Sequence, residues 1–229
     1  MAIEGAVNNV IVTMKRRTVA DLYNVIKMAN MNPGHQINPA DYVNIVGQVV
    51  GLPRSVCKRM DYKGFSTKDI RVGDTVIFSY LVVYSFNEGE NGEAVHSNAF
   101  MYAGKEYWNV DIQNVFAVIR DGQIIMVNGY CMLQDVAPPT QIILLSDETK
   151  KVVQASKSFL SYIGNNLEGQ KSIAAASGDD VYVDHRRVQH YKLFVETDTG
   201  QVEKPFAICR QKDIYGKKLG GYNPMNLIN

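Results

Sequence analysis

Short runs in which apolar side chains alternate with polar ones, or follow one another without a break, recur along the chain. They are Val7 to Met14, Asn44 to Leu52, Asp74 to Ser85, Val115 to Ile119, Gln123 to Val127, Asp180 to Val183 and Tyr191 to Val195. A period of two puts every second side chain on one face of a strand, and the Val, Ile, Tyr and Phe that fill these runs suit a pleated surface. Turn chemistry separates them: Asp121-Gly122 supplies the positive φ of a two-residue hairpin turn, and Gly73-Asp74 feeds directly into a strand. Two stretches break the pattern. Thr18 with Asp21 resembles a helix-capping box, Leu22, Val25, Ile26 and Ala29 follow at helical spacing, and Asn32-Pro33-Gly34 ends the segment, which predicts a short amphipathic helix. From Ser146 onward, Asp147-Glu148 ahead of Val152, Val153, Ser156, Phe159 and Leu160 allows a helix running into Tyr162. The fold class predicted is mainly β.

Comparison of the chain with itself gives four matched segments in the same order, the signature of a repeated unit. Val72–Phe78 matches Ser177–Val183, 105 residues on, and Tyr107–Phe116 matches Phe206–Tyr215, 99 residues on. Upstream, Asn8–Val12 faces Asn128–Met132 at 120, and Gly47–Pro53 faces Ser158–Gly164 at 111. The last match makes the end of the 146–162 stretch a strand, so helix and strand both stay open there. The falling offset gives the second copy shorter loops. Two β modules are expected, 1–129 and 130–229.

At these residues the sequence resembles the co-chaperonin (GroES-like) family. The counterparts of its first strand, its Gly-x-Val strand, its Val-Gly-Asp-x-Val-Ile-Phe strand and its closing segment are Val10–Val12, Gly47–Val50, Val72–Phe78 and Glu106-Tyr107 through Ile119. In the second module they are Pro138-Pro139 with Ile142-Ile143-Leu144, then Ser158–Gly164, Gly178–Val183 and Phe206–Gly216. The resemblance implies two small β-barrels in tandem, the first with a short helix in its first inter-strand loop. The family docks on its chaperonin through a flexible, Gly-flanked aliphatic loop after the first strand. Here that stretch, Thr18 to Asn30, holds no glycine and reads as a helix, a poor substitute for a loop that orders on binding. The segment Thr140 to Glu148 keeps the aliphatic residues but also lacks flanking glycines.

Composition narrows the function classes. With 24 Lys+Arg against 23 Asp+Glu, net charge +1, there is no electrostatic reason to expect a nucleic acid or an anionic membrane as partner. No basic, apolar leader and no run of 18 apolar residues is present, so neither visible export nor a membrane span is expected. Phosphate-loop, Rossmann, H-E-x-x-H and G-x-S-x-G patterns are missing. No catalytic residue, metal or cofactor is therefore expected. His35, His96, His185 and His190 are scattered, the last two being read as opposite faces of a strand. Cys57, Cys131 and Cys209, 74 and 78 residues apart, fit neither a disulfide framework nor a metal site and read as reduced, intracellular core residues.

Protein–protein contact remains as the predicted work. The 18 Asn and 13 Tyr at the expense of charge suit it. Candidate contact residues are the aliphatic run Ile142, Ile143, Leu144 and Leu145, weighed against an ordinary buried strand, and Leu22, Val25 and Ile26 of the first loop. Trp108, beside Tyr107 and near Tyr102, reads equally as an interface anchor or as core filling, and Leu227 and Ile228 lie in an apolar tail, Gly220 to Asn229, suited to docking on a neighbour. Asn87 to Asn98 reads as a hairpin insertion with a solvated tip, and Lys15-Arg16-Arg17 and His185-Arg186-Arg187 as solvated loop charge. The expectation is a homo- or hetero-oligomeric virion component, an auxiliary capsid protein that cements neighbouring subunits. The alternative is a cytoplasmic co-chaperonin that caps a barrel chaperonin.

Overall fold

A computed structural model describes residues 3–14, 43–88, 94–145, 150–167, 170–197 and 200–218. The chain is mainly β and forms two compact units, 1–124 and 125–229.

The first unit holds β1 (Asn9–Thr13), β2 (Val46–Gly51), β3 (Thr75–Phe78), one helical turn α1 (Leu81–Tyr84), β4 (Phe86–Glu88), β5 (Ala94–His96), β6 (Ala99–Tyr102), β7 (Lys105–Asp111), β8 (Val115–Arg120) and β9 (Gln123–Met126), within which the unit boundary falls. Its antiparallel sheet runs β6-β7-β1-β2-β3-β8-β9, with β4 and β5 paired apart as a hairpin. The Asp74 to Ser85 run, read as one strand, stops at Phe78. Ser79 turns the chain, its hydroxyl accepting from the Leu81 N–H at 3.3 Å and its carbonyl from the Val82 N–H, so Val82 and Val83 are buried from a helical turn. Asp121 and Gly122 have φ of 51° and 75°, the two positive values that the hairpin turn between β8 and β9 needs.

The second unit holds β10 (Tyr130–Gln134), β11 (Thr140–Leu145), β12 (Lys150–Ile163), β13 (Asp180–Asp184), β14 (Gln189–Thr197), β15 (Gly200–Arg210) and β16 (Ile214–Lys217), in the order β14-β15-β10-β12-β13-β16, with β11 beside β12. The 146–162 question is thereby settled as strand from Lys150 onward. Among the described residues neither sheet closes on itself. The helix expected over Thr18 to Asn30 lies outside the described residues.

The repeat is visible in the ladders. The path β6-β7-β1-β2-β3-β8 corresponds strand by strand to β14-β15-β10-β12-β13-β16. In both copies one residue is bulged out of the second strand, between Gly51 and Val49 in one and between Tyr162 and Leu160 in the other. A further bulge at Phe116 recurs at Tyr215. The turn before the third strand is also duplicated: the Gly73 N–H donates to the Val49 carbonyl at 2.8 Å, and the Gly178 N–H to the Leu160 carbonyl at 2.8 Å, with φ of 96° and 97°. Only glycine takes such a φ without strain.

One detail of the sequence alignment is corrected. Val10 pairs with Val110 and Cys131 with Cys209, which puts the first strands 121 residues apart instead of 120. In this register Asn8 and Gly129 coincide, both at positive φ (69° and 72°), and their carbonyls accept from the Ile112 and Gln211 N–H groups at 2.8 and 2.9 Å. The cores then superpose by position: Val10, Val12, Val49, Val76, Phe78, Trp108, Val110 and Val115 in the first unit stand where Cys131, Leu133, Leu160, Val181, Val183, Ala207, Cys209 and Ile214 stand in the second.

Candidate docking ribbon

β12 is long because it has three partners in succession. Residues 159–163 pair with β10 and 155–159 with β13, while Lys150 to Gln154 pair with β11 alone. Strands β11 and β12 thus make a two-stranded ribbon inserted between the first and second strands of the unit. Pro138-Pro139, which has no N–H to donate, leads into β11. The far edge of β11 has no strand beside it among the described residues.

Alternation gives the ribbon two faces. On one, Val153 and Ala155 are buried and Ile142 and Leu144 half-buried. On the other, Ile143 and Val152 are register partners, 63% and 62% exposed, with exposed Gln141 and Gln154 opposite each other next to them. Single exposed apolar side chains are ordinary. Among the large hydrophobic residues that are exposed, Met101 faces Glu106 and Tyr102 faces Lys105 across their hairpin, whereas Ile143 and Val152 face each other and form a continuous apolar spot.

The root of the ribbon is held by polar contacts. The buried Ser156 hydroxyl lies 3.0 Å from His185 Nδ1, and the buried Ser158 hydroxyl donates to the Gln134 carbonyl at 2.7 Å. Lys157 Nζ meets Asp180 Oδ2 at 2.8 Å, and this hydrogen bond raises the Lys157 ammonium above its ordinary range. Asp184 caps the turn His185–Arg187 by accepting the Arg186 N–H at 3.1 Å, and it pairs with the Arg186 guanidinium, which lowers its carboxyl most. His185 therefore sits in this turn, and His190 follows in β14. The opposite-faces reading of the two histidines is corrected, because the chain turns between them.

The other sequence candidates separate. Trp108 is 1% exposed, with His96 at a ring distance of 4.7 Å. It fills the core of the first unit and presents no surface to a partner, so the interface reading of Trp108 is corrected to the core one. Ile142, Ile143, Leu144 and Leu145 all lie on β11, and of these only Ile143 is fully open among the side chains described. Leu22, Val25, Ile26, Leu227 and Ile228 lie outside the described residues, as do Lys15-Arg16-Arg17 and the tip of the β4–β5 hairpin. Among the described residues no group of three or more His, Cys, Asp or Glu is arranged to hold a metal ion, and no helix is long and apolar enough to cross a membrane. The three cysteines are free; Cys131 and Cys209 are buried, as expected, but Cys57 is only half-buried.

Sequence reasoning missed Val152, because Val152, Val153, Ser156, Phe159 and Leu160 also satisfy a helical spacing. The signal that identifies it is the mirrored order Gln141-x-Ile143 and Val152-x-Gln154. Neither a protein-family model nor a curated protein matches the chain.

Proposed function

We propose that the chain is a non-enzymatic assembly protein built of two GroES-like β modules in tandem, and that it docks on other protein subunits as an auxiliary capsid protein of a virion. The exposed Ile143–Val152 pair on an open-edged ribbon carries this reading. Covering two branched apolar register partners that are about two thirds exposed gains each roughly two thirds of the about 1.5 to 3 kcal/mol of full burial, and the free N–H and C=O groups of a strand edge give a partner strand its register. The polar contacts at Ser156, Ser158 and Lys157 hold the ribbon root in place, so little ordering cost remains to be met on docking. The repeated strand order supports the tandem reading.

The test is the copy number of the chain in purified particles produced from its own genome, for wild type and for Ile143→Asp. Retention of the wild type with loss of the variant supports the proposal. A chain absent from particles overturns it.

A second reading, a co-chaperonin, is favoured by one observation: the ribbon follows β10, the first strand of its unit, where the resembled family carries its docking loop. Nucleotide-dependent co-elution with a barrel chaperonin, lost on Ile143→Asp, would select it.

A further inference from the structure

Cys131 and Cys209 are direct register partners on the neighbouring antiparallel strands β10 and β15. Their sulfurs are 3.3 Å apart, and the two residues are 0% and 2% exposed. In an antiparallel pair directly opposed Cα atoms lie about 4.5 to 5.5 Å apart, inside the range of about 4.4 to 6.8 Å that a disulfide spans. From 3.3 Å the sulfurs need to approach by about 1.2 Å to reach the bonded length of about 2.05 Å, a movement that side-chain rotation supplies. The equivalent pair in the first unit is Val10 opposite Val110, both buried. The fold therefore accepts a non-bonding apolar pair at this place, and packing alone does not require two cysteines there.

We propose that Cys131 and Cys209 are a redox-active pair that closes to a cross-strand disulfide when the protein meets a small linear disulfide such as oxidised glutathione. One cysteine thiolate attacks the sulfur–sulfur bond of the reagent, which gives a mixed disulfide and releases one reagent thiolate. The neighbouring cysteine attacks the protein sulfur of that mixed disulfide; the Cys131–Cys209 bond forms and the second reagent thiolate leaves. Two electrons pass to the reagent, and the two cysteine protons end on the two released thiolates. The Cys131 thiol against it, and then burial, hold the Cys209 thiol well above its ordinary range, so Cys209 rests as a thiol until the strands open enough to admit the oxidant. Closure staples β10 to β15. Since β10 also pairs with β12 and β15 with β14, the bond links two interior strands of the sheet.

The experiment uses the full chain. It is incubated with oxidised or reduced glutathione, unfolded, labelled with a maleimide and analysed by intact mass and a non-reducing peptide map. Oxidation is expected to lower the labelled thiols from three to one, the remaining label being on Cys57, with a linked Cys131–Cys209 peptide pair lighter by two hydrogen atoms. Three labels at every oxidant concentration, or a mixed disulfide on Cys57 as the sole product, overturns the proposal. The double variant Cys131→Val with Cys209→Val copies the first unit. It is expected to keep the strand spectrum of the reduced wild type and to lose the oxidant-induced rise in thermal midpoint. A rise that persists in the double variant overturns the proposal equally.

Discussion

The two units share a ladder and differ in what fills it. Trp108 stands where the second unit has Ala207, Val10 and Val110 where it has Cys131 and Cys209, and Gly47 where it has the buried Ser158. A Cβ on Gly47 would come within 3.0 Å of Val12 Cγ2, so the same site is closed in one unit and occupied in the other. The features that do not vary are the two bulges, the positive-φ residue before the first strand and the Gly-Asp turn before the third. Register and turns thus specify the architecture, and core side chains adapt in volume around them.

The largest expected effect exploits the tryptophan. Trp108→Ala makes the first unit resemble the second at one position, but leaves around it side chains packed against an indole instead of a methyl group. It is expected to cost about 3 to 5 kcal/mol in urea unfolding followed by far-ultraviolet circular dichroism. A cost below about 1 kcal/mol would mean that the first core collapses as freely as a core built for alanine.

Next come the duplicated aspartates. Asp74 has a side chain 6% exposed and accepts the Arg71 N–H at 2.7 Å and two hydrogen bonds from Arg120 at 2.8 and 2.6 Å. Asp179, 28% exposed, accepts the Ala176 N–H at 2.9 Å and Lys217 Nζ at 3.3 Å. Asp74→Ala is expected to cost about 2 kcal/mol and Asp179→Ala less, because charge-assisted bonds weaken with exposure. Both carboxyls are held below the usual carboxylate range, Asp74 chiefly by Arg120 and Asp179 chiefly by the Ala176 N–H. A lowered folded-state value gives stability that is full above the unfolded value and lost as pH falls through the folded one. Acid titration of stability is therefore expected to be steeper below about pH 4 in wild type than in Asp74→Asn. Equal slopes would remove Asp74 from that account.

Gly73→Ala and Gly178→Ala sharpen the comparison at smaller scale. Nothing lies within 4 Å of a Cβ at either site, so the cost rests on the dihedral alone, and about 1 kcal/mol is expected at both. Unequal costs would show that the two turns are under different constraint. Ile143→Asp is expected to leave stability within about 0.5 kcal/mol, as an exposed position should, whereas Ile142→Asp, on the half-buried face, should destabilise the second unit measurably.

Strands β2 and β13 were legible because a buried face imposes period two, and β1, β3 and β8, buried on both faces, because they read as unbroken apolar runs. The repeat was legible through its turns. Its first-strand register slipped by one because Asn8-Asn9 and Asn128-Gly129 match by identity, while the structure equates Asn8 with Gly129, and asparagine and glycine both tolerate the left-handed conformation. In β12 the change of partner from β11 to β13 and β10 leaves Val153, Ala155, Ser156, Ser158 and Leu160 buried, a pattern that no single strand period describes. The cysteine pair was invisible because its partners are 78 residues apart and meet only through the β10–β15 register.

The most direct test of the docking account is quantitative mass spectrometry of purified particles from the genome that encodes the chain, comparing wild type, Ile143→Asp and Val152→Asp. The account predicts stoichiometric wild-type protein and depletion of both variants, with their soluble forms folded and as stable as wild type. Equal incorporation of all three proteins would contradict it, because the Ile143–Val152 face would then play no part in assembly.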